Sequence, residues 1–118
     1  MTELIDNYLA CWNETEPAAR RALIEEHWSP ELTYVDPMAQ VYGREQLDAT
    51  IDTVQQQFPG FLFAAAGPAD AHHNQARFTW NLGPADAEPV IVGFDVVVTD
   101  ADGRIRTVLG FLDRVPVS

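Results

Sequence analysis

Val90-Ile-Val-Gly-Phe-Asp-Val-Val-Val-Thr99 is the most apolar run in the chain, and one carboxylate, Asp95, sits in its middle. The β-branched residues predict a sheet strand buried on both faces. Asp100-Ala-Asp-Gly103 predicts a tight hairpin into a partner strand over Arg104 to Val115. Upstream, His72 to Leu82 has period two: Ala76, Phe78, Trp80 and Leu82 face one way, Arg77, Thr79 and Asn81 the other. Phe61 to Ala66 reads as a further strand, and Asn81 to Pro89 as the connection to the Asp95 strand. The C-terminal half is therefore expected to be a four-stranded antiparallel meander.

The N-terminal half changes period. From Glu3 to Asn13, residues Leu4, Ile5, Tyr8, Leu9 and Trp12 recur at helical spacing and make one apolar face. Glu14-Thr-Glu-Pro17 breaks that helix; Thr15 or Glu16 can cap the next, with Pro17 in its first turn. A second helix is expected over Ala18 to Trp28, ending before Ser29-Pro30. Leu32 to Val35 reads as a short strand running into Asp36-Pro37. Gly43 opens a third helix, Arg44 to Phe58, closed by Pro59-Gly60. Three helices ahead of an antiparallel meander imply one α+β domain over residues 1–118, with the helices on the concave face of a curved sheet.

A carboxyl group inside an apolar strand is costly when charged, so burial should raise the pKa of Asp95. Kept protonated at neutral pH, it can donate a hydrogen bond, which an ionised aspartate cannot. The structural alternative is an ion pair with Arg77, Arg106 or Arg114 on a neighbouring strand. Tyr8 and Asp36 can complete a proton-transfer site around it. Each also has an ordinary reading: Tyr8 as a core residue of its helix, Asp36 as a turn residue bonded to its own backbone.

Composition narrows the function classes. Acidic residues outnumber basic ones 18 to 7, for a net charge of −11. That field argues against nucleic acid and anionic membranes as partners and is compatible with a neutral or apolar small molecule, while solubility alone also explains the excess charge. All seven basic residues are arginine, which excludes a lysine Schiff base and pyridoxal phosphate held through one. No apolar stretch approaches a membrane span, and the acidic start Met1-Thr-Glu-Leu-Ile-Asp6 does not resemble a secretion signal. A single cysteine, Cys11, fits a reducing cytoplasm.

Three segments carry a resemblance. Asn7-Tyr8-Leu9-Ala10-Cys11-Trp12-Asn13, Thr33-Tyr-Val-Asp36-Pro37, and Phe94-Asp95-Val96 followed by a hairpin and Gly110-Phe111-Leu112 resemble the site segments of the bacterial ketosteroid isomerases. In length and element order the whole chain is similar to the NTF2-like, or SnoaL-like, superfamily. The resemblance implies a cone-shaped α+β barrel with three N-terminal helices on a curved, mainly antiparallel sheet. It implies a homodimer paired through the convex face of that sheet. It also implies Asp36 as the catalytic base, with Tyr8 and a protonated Asp95 stabilising an oxyanion. Ile51 stands where those isomerases tend to carry a supporting tyrosine.

The implied activity is proton transfer alpha to a carbonyl, as double-bond isomerisation or polyketide cyclisation, without metal or organic cofactor. Trp12, Phe58, Phe78, Trp80 and Phe111 are the expected pocket residues. A noncatalytic ligand-binding or dimerisation module on the same scaffold is the second reading. Epoxide hydrolysis ranks lower, because Gly93 stands where such enzymes on this fold place an arginine.

Other constellations carry less. His72 and His73 are adjacent and would point to opposite faces of a strand, so they do not chelate one ion together. Asp100-Ala-Asp102-Gly103 lacks the rest of a calcium loop. Cys11 reads as a buried structural thiol. No glycine-rich phosphate loop and no serine elbow is present.

Overall fold

The computed structural model describes residues 2–116. Helix α1 spans Thr2–Asn13 and α2 spans Pro17–His27, followed by strands β1 (Trp28–Val35) and β2 (Gln40–Tyr42). Helix α3 is Arg44–Gln57, and the chain ends in β3 (Leu62–His72), β4 (Gln75–Gly83), β5 (Ile91–Thr99) and β6 (Ile105–Arg114). The six strands form one sheet in the order β2-β1-β6-β5-β4-β3. All neighbours are antiparallel except β1 and β6, which run parallel. Pairing leaves β2 and β3 as the two edges, so the observed object is a curled sheet rather than a barrel closed by hydrogen bonds. No helix among the described residues is long and apolar enough to cross a membrane.

Local chemistry explains the boundaries. The Glu16 carboxylate accepts from the Ala19 amide at 2.7 Å and caps α2, with Pro17 in the first turn, where no amide is needed. Gly43 precedes α3 at φ +86°, a left-handed conformation that glycine adopts freely. Trp28 opens β1 instead of closing α2, and β1 runs through Pro30 with a register shift between Trp28 and Thr33. That irregularity absorbs the amide proline lacks.

Two expectations about strands are corrected. The first strand pair of the meander turns at His73-Asn74, with His72 opposite Gln75, so His72 ends β3 and does not begin β4. His73 sits in the turn at φ 53°, and both histidines are exposed. The strand expected over Phe61 to Ala66 is longer, because β3 continues across Gly67-Pro68 to His72 with a shift between Ala66 and Asp70. An edge strand with a register irregularity at this point tolerates a proline, which has no amide to donate. Strand β2 carries no signal of its own in the sequence. Three residues are too few to show a period, and pairing with β1 defines it.

The helices cover the concave face. Ile5, Tyr8, Leu9 and Trp12 of α1 pack with Ile24 of α2, Leu47 and Ile51 of α3, and Phe78, Trp80 and Val97 of the sheet. Arg20 is buried on α2 and ties α2 to α3 through Asp48 at 2.6 Å and Gln55 at 2.9 Å. Asn13 ends α1 by pairing its amide with both backbone groups of Phe63, which anchors the helix to the β3 edge. Strand β5 is not buried on both faces as expected. Ile91, Gly93, Asp95 and Val97 point into the core, while Val92, Phe94, Val96 and Val98 stay partly exposed on the convex face.

Candidate active site

The fold brings Tyr8, Asp36 and Asp95 to one cavity of about 660 Å³ between the helices and the concave sheet face. Helix α1 supplies Tyr8, the turn after β1 supplies Asp36, and the centre of β5 supplies Asp95. The Tyr8 hydroxyl donates to Asp95 Oδ2 at 2.6 Å, and Asp95 is only 2% exposed. None of the three candidate arginines reaches it. Arg77 faces Asp70 at 3.5 Å, Arg106 donates to the Glu31 carbonyl, and Arg114 donates to the Pro89 carbonyl.

Glycines set the spacing. Asp95 faces Gly110 across β5 and β6, and a Cβ on Gly110 would stand 2.7 Å from Asp95 Oδ1 and 3.3 Å from the Asp36 Cβ. Both aspartates therefore crowd one point on the central strand of the β1-β6-β5 trio. A Cβ on Gly93 would lie 2.1 Å from the Trp80 ring, which rests across its strand partner. Any side chain at 93 collides with that indole.

Burial shapes the acidities. It pushes Asp95 up to about 6, assisted by the negative charge of Asp36 and opposed by the Tyr8 hydrogen bond. The Trp80 indole N–H is near enough to favour the Asp95 anion, but it meets no hydrogen-bond geometry. At about 6, the Asp95 carboxyl exchanges its proton close to neutral pH. Donation from Tyr8 favours the anion and opposes the desolvation, which still prevails. Tyr8 itself is held well above the usual tyrosine range, by burial first and then by Asp95.

Asp36 is bonded on both oxygens. Its Oδ1 accepts from the amides of Met38 and Ala39, each at 2.8 Å, so the turn reading of this residue holds for that oxygen. Its Oδ2 accepts from the Tyr34 hydroxyl at 2.6 Å. Tyr34 is a site residue that the sequence reading missed. The signal was there: residues two apart on a strand share a face, so Tyr34 had to lie on the same side as Asp36. Burial, followed by the charges of Asp36 and Asp95, raises the Tyr34 phenol well above its ordinary value.

Trp12, Phe58 and Trp80 line the cavity as expected, and Phe63, Leu82, Ile91 and Leu112 join them. Phe78 and Phe111 do not. Phe78 is buried behind Tyr8, edge-on to its ring at 5.6 Å. Phe111 is 59% exposed, because Gly110 and Leu112 take the inward positions and strand alternation turns 111 outward. Asp36 and Asp95 are the charged residues of the lining, which holds no arginine. Among the described residues, no group of three or more histidine, cysteine, aspartate or glutamate side chains is placed to hold a metal ion. Cys11 is buried, and burial raises its thiol to about 11, so it is an inert core residue.

A SnoaL-like family protein from Agrobacterium tumefaciens, described as a proposed isomerase, matches with 41% identity and a TM-score of 0.90. The match covers 95% of this chain and 96% of that one. The chain belongs to the SnoaL-like family. Two more distant structures share the fold of this SnoaL-like protein. One is a proposed SnoaL-like polyketide cyclase from Jannaschia sp. CCS1, with 17% identity, a TM-score of 0.70, and coverage of 95% and 86% of the two chains. The other is an NTF2-like protein of unknown function from Exiguobacterium sp. 255-15, with 21% identity, a TM-score of 0.73, and coverage of 93% and 98%. No family model and no curated protein matches the chain.

Proposed function

We propose that this SnoaL-like protein is a cofactor-independent enzyme of the ketosteroid isomerase or polyketide-cyclase type, moving a proton alpha to the carbonyl of a neutral, hydrophobic small molecule. The observation that carries this reading is the shared cavity. A carboxylate with an oxygen toward the lining stands across one glycine from a buried phenol–carboxyl pair, and the remaining walls are largely apolar. The relative described as a proposed isomerase supports the reaction class.

In this mechanism Asp36 Oδ2 takes a proton from carbon, and the electron pair of the broken C–H bond moves into an enolate. Protonation of Asp95 frees the Tyr8 hydroxyl from it, and both groups then donate to the enolate oxygen in a site shielded from water. An apolar substrate filling the cavity increases the desolvation of Asp95 and favours its protonated form. The proton on Asp36 returns to a different carbon in isomerisation, or to the product of ring closure in cyclisation.

The test is deuterium uptake from D2O by the α-carbons of 2-tetralone, a neutral bicyclic ketone. Wild-type protein is expected to accelerate uptake and Asp36→Asn to abolish the acceleration. Uptake equal in both proteins contradicts the proposal.

A noncatalytic ligand-binding module remains the second reading, favoured by the Met38 and Ala39 amides that give Asp36 a structural role of its own. It predicts ketone binding without deuterium uptake. Epoxide hydrolysis is disfavoured, because the Trp80 ring occupies the space that an arginine at 93 would need.

The proposal includes a cytoplasmic homodimer. Phe94, Val96, Leu109 and Phe111 are neighbours on the convex face, paired across β5 and β6. All four are at least partly exposed in one chain, and a second copy would bury them.

A further inference from the structure

We infer that Tyr34 is a positioning residue for Asp36, aiming its Oδ2 into the cavity and holding it there through proton transfer; this rests on the proposed role of Asp36 as base. An aspartate in a turn can rotate about its Cβ–Cγ bond, and a base that rotates spends little time within reach of a C–H bond. Here the rotation is blocked from both sides. The Met38 and Ala39 amides hold Oδ1 against the backbone. The Tyr34 hydroxyl holds Oδ2 at 2.6 Å.

Tyr34 is itself fixed. It is buried, its ring packs against Trp12 at 5.5 Å, and its strand position pairs with Val41 of β2 and Val108 of β6. It therefore reaches Asp36 from a rigid sheet, whereas the amides belong to a turn whose Met38 is 82% exposed. The hydroxyl uses one lone pair of Oδ2 and leaves the other for the substrate proton. When Asp36 takes that proton, Tyr34 can keep its own, because its acidity is suppressed by burial.

The cavity thus holds two phenol–carboxyl pairs, Tyr8 with Asp95 and Tyr34 with Asp36. Their surroundings differ. Asp95 has Tyr8 as its hydrogen-bond donor and sits deep in the sheet, whereas Asp36 has three donors at a turn. The first pair is suited to holding an oxyanion and the second to a base fixed in orientation.

The experiment measures deuterium uptake into 2-tetralone by wild type, Tyr34→Phe, Asp36→Asn and the double variant, each checked for fold by circular dichroism. Tyr34→Phe is expected to lower kcat about tenfold or more with KM changed less than twofold, the signature of lost orientation rather than lost binding. The double variant is expected to be no slower than Asp36→Asn, since Tyr34 acts through that carboxylate. Should Tyr34→Phe unfold, the wild-type protein decides by proton NMR. A far-downfield hydroxyl resonance that Asp36→Asn removes and Tyr8→Phe retains supports the pairing; a resonance unaffected by Asp36→Asn overturns it. Undiminished kcat in Tyr34→Phe, or the same further loss in the double variant, overturns the inference and leaves the proposed function standing. Wild-type uptake no faster than that of Asp36→Asn overturns both.

Discussion

Asp95 and Gly110 face each other across β5 and β6, and the absent side chain at 110 is what leaves room for the Asp95 carboxyl. The same glycine borders Asp36, so one backbone position governs how closely the two acids approach. Gly110→Ala places a Cβ 2.7 Å from Asp95 Oδ1, and something must shift. The expected outcome is a stability loss of about 1–3 kcal/mol by urea unfolding, with turnover reduced about tenfold or more by displaced acids.

The buried Asp95 should weaken the fold when it ionises. Its pKa rises from 3.8 to about 6 on folding, so the folded state holds the proton more tightly than the unfolded chain. Its favourable contribution is full below about pH 4 and is lost as the pH climbs through about 6. Asp95→Asn keeps an acceptor for Tyr8 and removes the titration. The substitution is expected to stabilise the protein near pH 8 by on the order of 3 kcal/mol relative to its effect near pH 4. Urea melts at the two pH values check this, and equal effects at both contradict it.

Ligand binding should carry the same proton. A neutral ketone needs a donor from Asp95, whose proton is lost as the pH rises through about 6. Calorimetry with 2-tetralone is expected to show constant affinity below that pH and weakening above it, approaching tenfold per pH unit, with proton uptake on binding. Asp95→Asn should flatten the profile.

The convex face gives a test of assembly. Light scattering is expected to return a dimer for the wild type, and Phe111→Asp is expected to give a monomer, because it buries a charge at an apolar contact. A wild-type monomer ends the dimer proposal without touching the cavity.

Much of this fold could be read before any coordinates. The period of α1 named the core side chains, the alternation in β4 named its inward residues, and Glu16-Pro17 marked the start of α2. These signals are local, each written within a dozen residues. What escaped depends on contacts between distant segments. Strand β2 exists because β1 lies beside it, and β3 crosses Gly67-Pro68 because it is an edge.

The site divides the same way. Tyr8, Asp36 and Asp95 stood out as chemistry in apolar or turn contexts, and the structure brings them together. Phe111 was misplaced because Leu109 to Leu112 offers no alternation to show which face is inward, and only pairing with β5 decides it. Tyr34 was overlooked although its spacing from Asp36 placed it on the right face. The rise in the Asp95 pKa was legible from its apolar strand, whereas its hydrogen bond to Tyr8, 87 residues away in sequence, was not.

The central claim is that Asp36 serves as the base in this cavity. Ultraviolet detection of double-bond migration in a β,γ-unsaturated ketosteroid, with wild type and Asp36→Asn side by side, tests it most directly. The account predicts turnover by the wild type and a loss of at least about a thousandfold in the variant, on the scale of a missing general base. An Asp36→Asn protein that turns over as fast as the wild type would contradict it.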